Sequence, residues 1–182
     1  MSDEKRPQRF LVAGVSGVGK TTLAREIARV TGIAHTEIDA LYHGPNWTPR
    51  ERFLDDVRHL AAGSSWVTEW QYRDARPILL ARADLLIWLD FPRRISLGRV
   101  IRRTWRRSRS HEVLWNGNRE PGMAHALFAK EGVIRWAIRT HTRYPRLIAE
   151  ARHEWPAVAV VRLTSQSEAQ SWLEALETTT AD

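Results

Sequence analysis

Nine consecutive residues, Gly14 to Thr22, constrain this chain more than any other stretch. They read GVSGVGKTT, follow the apolar run Phe10-Leu11-Val12-Ala13, and lead into Leu23 to Val30, where apolar residues recur at helical spacing. Strand, glycine-rich turn and helix in that order are the context that GxxxxGK[ST] requires of a phosphate-binding loop. Gly14, Gly17 and Gly19 let the backbone turn tightly, so that successive amides face an anion without side-chain obstruction. The helix then presents its positive end to the same anion. Lys20 is placed to reach the β- and γ-phosphates as a point charge, and the Thr21 hydroxyl to ligate a magnesium ion between them. Thr22 serves the α-phosphate, and Val15, Ser16 and Val18 complete the loop. Glycines near a strand end are usually only turn formers, but a complete signature directly after a strand is much rarer. ATP-type binding with Mg2+ is therefore expected. The use made of the triphosphate stays open, because switches, motors and small-molecule kinases share this loop.

The 182 residues suit one α/β domain with a sizeable core and are too few for two. The expectation is a single domain over 1–182, with polar ends at 1–8 and 178–182 disordered. There is no cysteine, which excludes disulfides, thiolate metal sites and cysteine nucleophiles. The histidines show no HxxxH spacing on an expected helix, so no transition-metal site is assigned. The longest apolar runs are strand-sized and the start lacks the apolar stretch of a signal peptide, so a soluble cytoplasmic protein without membrane contact is expected. The net charge is +7, and only Lys5, Lys20 and Lys130 among the 28 basic residues are lysine. Arginine suits a bidentate grip on phosphate, whether of a small molecule or of a nucleic acid.

Apolar runs and turn signals place strands at 9–13, 33–38, 65–68, 85–89 and 158–163. Helices are expected at about 19–31, from Thr48-Pro49 through Leu60, at 72–82, from Pro92 onward, at about 123–140 and 142–151, and at 167–176 with Ser165 or Ser167 as cap. Such alternation argues a parallel sheet covered on both faces, with ligands outside the carboxyl ends of the strands. Asp39, Glu69 and Asp90 each close an expected strand and would converge with the phosphate loop on one crevice.

The phosphate loop, the segment DALYHGPNW from Asp39, LLIWLDFPRR from Leu85, the arginine-rich helix and WNGNRE from Trp115 together resemble the adenylate-kinase-like phosphate-loop proteins called topology modulation proteins. The likeness spans nearly the whole chain. Asp39 with Pro45-Asn46-Trp47, and Asn116-Gly117-Asn118-Arg119, carry most of its specificity. The resemblance implies a three-layer α/β/α fold, a five-stranded parallel sheet in order 2-3-1-4-5, an arginine-rich helical lid over about 93–125, and ATP as the nucleotide. There is one departure: relatives carry Asp-Gly-Asn-Tyr after the third strand, whereas this chain has Glu69-Trp70-Gln71-Tyr72, which bears on the shape of an acceptor pocket.

The same resemblance implies roles. Asp39 matches the residue that holds the acceptor hydroxyl or acts as general base, the alternative being a turn or capping aspartate. Glu69 matches an acid that supports magnesium through water, against a plain surface glutamate. Asp90 reads better as orienting the Phe91-Pro92 turn. Arg99, Arg103 and Arg106 fall at i, i+4 and i+7, so they share a helix face, and as lid residues they would neutralise charge on the transferring phosphoryl group. The alternative is a solvated basic face. Eight arginines and no acid lie between Phe91 and His111, a repulsive cluster unless anions neutralise it. Arg119 resembles a further lid or substrate arginine. Tyr42, Trp47, Trp70, Tyr72 and Arg73 lie near the strand ends where an acceptor would bind, and Thr164 to Gln166 match the loop that flanks adenine.

The reading that follows is an ATP- and Mg-dependent kinase acting on a small-molecule acceptor. No DxxG after a strand and no Asn-Lys-x-Asp occurs, which argues against a regulatory GTPase. Two other readings compete: a nucleotide-gated nucleic-acid-binding ATPase using 91–111, which is not favoured, and a degenerate ATP-binding module without transfer.

Overall fold

The structure is a computed structural model describing residues 6–110, 118 and 143–181, the side chains of 103, 104, 107–110 and 181 excepted. Four parallel strands form one sheet: β1 (Arg9–Gly14), β2 (Trp66–Glu69), β3 (Leu85–Leu89) and β4 (Ala159–Leu163), in spatial order β2-β1-β3-β4. In β2 and β3 every residue is buried, and in β1 all but Arg9, as strands covered on both faces require. β4 lies at the edge and leaves Ala159 and Arg162 exposed. Gly14 is level with Leu89, and Leu89 with Leu163, so three strands end together. At the opposite end, Asp84 Oδ2 accepts the amides of Gln8 and Arg9 at 2.9 Å each, and Asp84 Oδ1 pairs with Arg9 Nη2 at 2.6 Å. These bonds hold the entries of β1 and β3 in register.

The expected strand at 33–38 is cut short. It keeps one parallel bridge, His35 to Val67, with the Thr36 amide donating to Val67 O at 2.9 Å and the Val67 amide to Ala34 O at 3.0 Å. This segment therefore lies on the outer side of β2, where the order 2-3-1-4-5 puts it, but it is not a fifth strand. Ile38 already begins α2 (Ile38–Tyr42), because its amide is taken by the Glu69 carboxylate at 3.1 Å. Asp39 thus stands in a short helix and not at a strand end.

α1 (Lys20–Thr31) ends at Gly32, whose amide bonds Ala28 O at 2.9 Å. α3 (Phe53–Ala62) starts later than Thr48-Pro49 suggests: the Thr48 hydroxyl donates to Pro45 O at 2.6 Å and Pro49 bridges His43, so both are consumed by a turn. α4 (Ala75–Leu80) is shorter than 72–82 because Tyr72, at φ 59, is outside helical space. α5 (Arg93–Ser110), α6 (Tyr144–Glu154) and α7 (Gln166–Ala181) complete the described helices. Ser165 Oγ caps α7 by accepting the Glu168 amide at 3.1 Å. α7 continues through 178–181, where the Thr180 hydroxyl reaches Val30 O at 3.2 Å, so the expected disorder there gives way to helix. α1 packs on α7, and α3 on α4. The helix expected at 123–140 and the lid segment beyond 110, apart from Asn118, lie outside the described residues.

Candidate active site

The loop after β1 has the shape its glycines suggest. Gly14 sits at φ 146 and Gly17 at φ 76, in backbone space that side chains rarely enter. A Cβ on Gly17 would lie 2.4 Å from Val100 Cγ2 and 2.6 Å from Ser96 O, and one on Gly14 2.9 Å from Leu89 O. The loop is therefore closed against α5 on one side and β3 on the other. Gly19 stands at the N-cap of α1, and Lys20, buried at 9% exposure, donates from Nζ to Val15 O at 3.3 Å. Val15 and Val18 are buried, Ser16 and Thr21 half-buried, and Thr22 exposed. Backbone amides, a buried ammonium and a helix N-terminus on one turn fit the phosphates of a nucleotide.

Glu69, 3% exposed, is no surface glutamate. His35 Nε2 lies 3.2 Å from its Oε1, and the Ile38 amide donates to its Oε2 at 3.1 Å. Burial alone would raise its pKa, but the donors from His35, Ile38 and Thr21 outweigh it and hold the carboxyl below its ordinary range. An ionised acid against the loop hydroxyl fits oxygen ligation of Mg2+, direct or through water. Among the described residues no three His, Asp or Glu side chains converge, so such a cation would complete its shell with phosphate and water.

Asp39 Oδ1 accepts from Gln71 Nε2 and from the Tyr72 hydroxyl, each at 2.7 Å. Among the described residues its Oδ2 receives no hydrogen bond, which leaves one carboxylate oxygen for a ligand. Around it stands an aromatic wall: Tyr42 stacks on Tyr72 with centroids 3.9 Å apart, Phe53 meets both edge-on, and Trp47 packs edge-on against His43 at 5.0 Å. His43 Nε2 lies 3.2 Å from the Tyr72 hydroxyl. Burial and Asp39 push the Tyr72 hydroxyl far up, and burial depresses His43 although Asp39 opposes it. Both side chains are therefore neutral near pH 7. The three non-glycine residues at positive φ among those described, Asn46, Trp47 and Tyr72, all belong to this cluster. Such strain persists only where the surrounding structure over-determines it.

Asn118 was not singled out by sequence reasoning, which chose its neighbour Arg119. It is 4% exposed, its Nδ2 donates to Gly44 O at 2.8 Å, and its Oδ1 accepts the Trp47 amide at 2.9 Å. The Pro45-Asn46-Trp47 and Asn116-Gly117-Asn118-Arg119 motifs thus meet at this residue. Their shared peculiarity was visible in the sequence, but their contact was not.

Other expected residues separate. Arg99 Nη1 donates to Val18 O and its Nη2 to Gln166 Oε1, both at 2.9 Å, so it ties the phosphate loop to the start of α7. Arg106 is exposed, while the Arg103 side chain and Arg119 lie outside the described residues. Trp70 is corrected from substrate contact to core: it is 2% exposed, with the Arg76 guanidinium 4.9 Å above its ring and Tyr144 edge-on at 6.5 Å. Its bulk is accommodated in the core. Arg73 is exposed. Asp90 pairs with Arg162 at 2.5 Å. Thr164 is bound through its amide and hydroxyl to Glu168 at 2.7 and 2.8 Å. No described helix is long and apolar enough to cross a membrane.

The sequence matches no protein-family profile and no curated protein. Solved structures do match. A shikimate kinase from Acinetobacter baumannii in complex with shikimate has TM-score 0.60 at 14% identity, covering 96% of this chain and 93% of that one. A gluconokinase from Sinorhizobium meliloti has TM-score 0.53 at 19% identity, with 96% of each chain covered. An unliganded sugar kinase from a Janibacter species has TM-score 0.52 at 19% identity, covering 97% and 98%. At these identities the likeness shows the fold alone, which this chain shares with the three kinase structures over nearly the full length of each chain.

Proposed function

We propose that this protein is a small-molecule kinase that moves the terminal phosphoryl group of ATP to a hydroxyl held at Asp39. One observation carries the reading: the buried Glu69, level with Val12 just before the phosphate loop, takes the Ile38 amide next to Asp39 on its carboxylate. A nucleotide cradle and a carboxylate with one open oxygen are thereby set on either side of a single residue. Residues 14–22 hold the phosphates, and Thr21 with Glu69 holds Mg2+. Bound Mg-ATP supplies the transferable group and the cation that offsets its charge. Lys20 neutralises charge at the phosphates, with Arg103 and Arg106 closing from α5, while Arg99 supports the loop from behind. Asp39 Oδ2 orients the acceptor hydroxyl and takes its proton, its other oxygen being fixed by Gln71 and Tyr72. Tyr42, Trp47, Tyr72, Arg73 and Arg119 form the acceptor side.

Membership of the topology modulation proteins, and a cytoplasmic location, belong to the same proposal. Asn118 supports the former by joining the two motifs on which that likeness rests. A second reading, nucleic-acid binding, is favoured by one feature of α5: Trp105 is 53% exposed among arginines.

The test is ADP production from Mg-ATP across nucleosides, nucleoside monophosphates, sugars, sugar acids, hydroxylated antibiotics and DNA, with Lys20→Ala as control. Stimulation by one small-molecule class, lost in the control, supports the kinase. Stimulation by DNA alone transfers the weight to the second reading, and ATP binding without stimulation points to a degenerate module.

A further inference from the structure

The wall that carries Trp47 is a tight turn, inside which the Thr48 hydroxyl donates to Pro45 O at 2.6 Å. The Gly44 amide donates to Thr48 O at 2.7 Å, the Thr48 amide to Pro45 O at 3.3 Å, and the Arg50 amide to Tyr42 O at 2.9 Å. Inside that frame Asn46 and Trp47 stand at φ 55 and 60, a conformation that bulky side chains disfavour. The Gly44 carbonyl and the Trp47 amide are both met by one side-chain amide, that of Asn118, 71 positions along the chain from Trp47.

We propose that Asn118 is a positioning residue for the acceptor. It holds the 44–48 turn in its strained form, and through it the Trp47 ring against His43 and the His43–Tyr72–Asp39 chain. The inference deepens the kinase reading and rests on it. Chemistry selects the residue type, because only a carboxamide offers a donor and an acceptor together in fixed geometry, and glutamine is one methylene too long for this 4%-exposed site. Aspartate keeps the acceptor for the Trp47 amide but sets a second oxygen against the Gly44 carbonyl. The turn lies on the Asp39 side of the site: His43 is 3.2 Å from the Tyr72 hydroxyl, and that hydroxyl is 2.7 Å from Asp39. The phosphate loop is instead braced by Arg99. Loosening the turn should therefore be felt by the acceptor and not by ATP.

Asn118→Asp and Asn118→Ala are compared with the unmodified chain in two measurements. In steady-state kinetics with the acceptor found by the panel, both variants raise the acceptor KM by about tenfold or more and leave the ATP KM within about twofold. In amide exchange followed by NMR, the Trp47 amide loses protection in Asn118→Ala, keeps it in Asn118→Asp, and the β1 amides are unchanged in both. Equal rises in both KM values, or exchange accelerated throughout the domain, would show a merely structural role and overturn the proposal. An unchanged Trp47 amide in Asn118→Ala overturns it as well. Absence of acceptor-dependent turnover in the unmodified chain overturns the kinase reading and the acceptor role together, and exchange then still decides whether Asn118 holds the turn.

Discussion

The Arg99 guanidinium donates to the Val18 carbonyl at 2.9 Å, which fastens the basic helix α5 to the back of the phosphate loop. The same side chain reaches Gln166 at the start of α7. One arginine thus braces three elements around the nucleotide cradle, and the helix approaches closely enough for Val100 and Ser96 to exclude any side chain at Gly17. Loop conformation and helix position are consequently set together. Removing the brace, Arg99→Ala, should weaken ATP binding by about tenfold, a loss of one charge-assisted hydrogen bond. Titration with ATP checks this, and unchanged affinity would sink the bracing role.

Gly17→Ala meets two obstacles at once, φ 76 and a Cβ position 2.4 Å from Val100. Overpacking with backbone strain should cost about 2 kcal/mol or more of stability and abolish nucleotide binding. A urea titration reads the first effect and nucleotide titration the second. A variant with the stability and affinity of the unmodified chain would contradict the closed loop described above.

Asp39→Asn should lower kcat by about a hundredfold or more while the ATP KM moves little, since a carboxamide cannot take the acceptor proton. Tyr72→Phe leaves Asp39 its bond from Gln71 and removes only one donor, so its effect should be smaller and fall on the acceptor KM. Kinetics of the two variants side by side decide this. Equal losses in both would mean that the hydroxyl, and not the carboxylate, does the chemistry.

Stability should fall in acid for a definable reason. Asp84 and Glu69 are both held below their usual range in the folded chain, where burial is outweighed by Arg9 and the Gln8 and Arg9 amides in one case and by His35, Ile38 and Thr21 in the other. Unfolded, they titrate near pH 4, so in acid the unfolded chain binds more protons. Their stabilisation is complete above about pH 5 and is lost as pH falls through the depressed folded values. Asp84→Asn should be less stable at pH 7 and show a shallower decline between pH 5 and 3, read from urea midpoints. An unaltered slope would remove Asp84 from the account.

The parts of this protein legible in the sequence are those specified by neighbours in the chain. β3 falls on the expected residues, β1 and β4 differ by a residue at one end and β2 is shifted by one residue, because runs such as Leu85–Leu89 can be buried only as central strands. Gly32 and Ser165 terminate helices as their types suggest, for reasons confined to one turn of backbone. Less legible was everything that depends on a partner far along the chain. The strand at 33–38 fails as a strand because Glu69 captures the Ile38 amide, and Trp70 turns inward because Arg76 and Tyr144 receive its ring.

By itself, then, the sequence determined a phosphate loop between strand and helix, an α/β alternation and an acid at the ends of β2 and β3, since these follow from steric freedom and burial within a few residues. Tertiary structure decided which acid does what. Asp90 pairs with Arg162, Glu69 bonds His35 and Ile38, and Asp39 keeps one oxygen open beside Gln71 and Tyr72. Asn118 acquires its place in the same way, from two backbone groups of a turn more than seventy residues earlier. Such bonds are short-ranged in space and unconstrained in sequence, so only the packing of the whole sheet and its helices selects them.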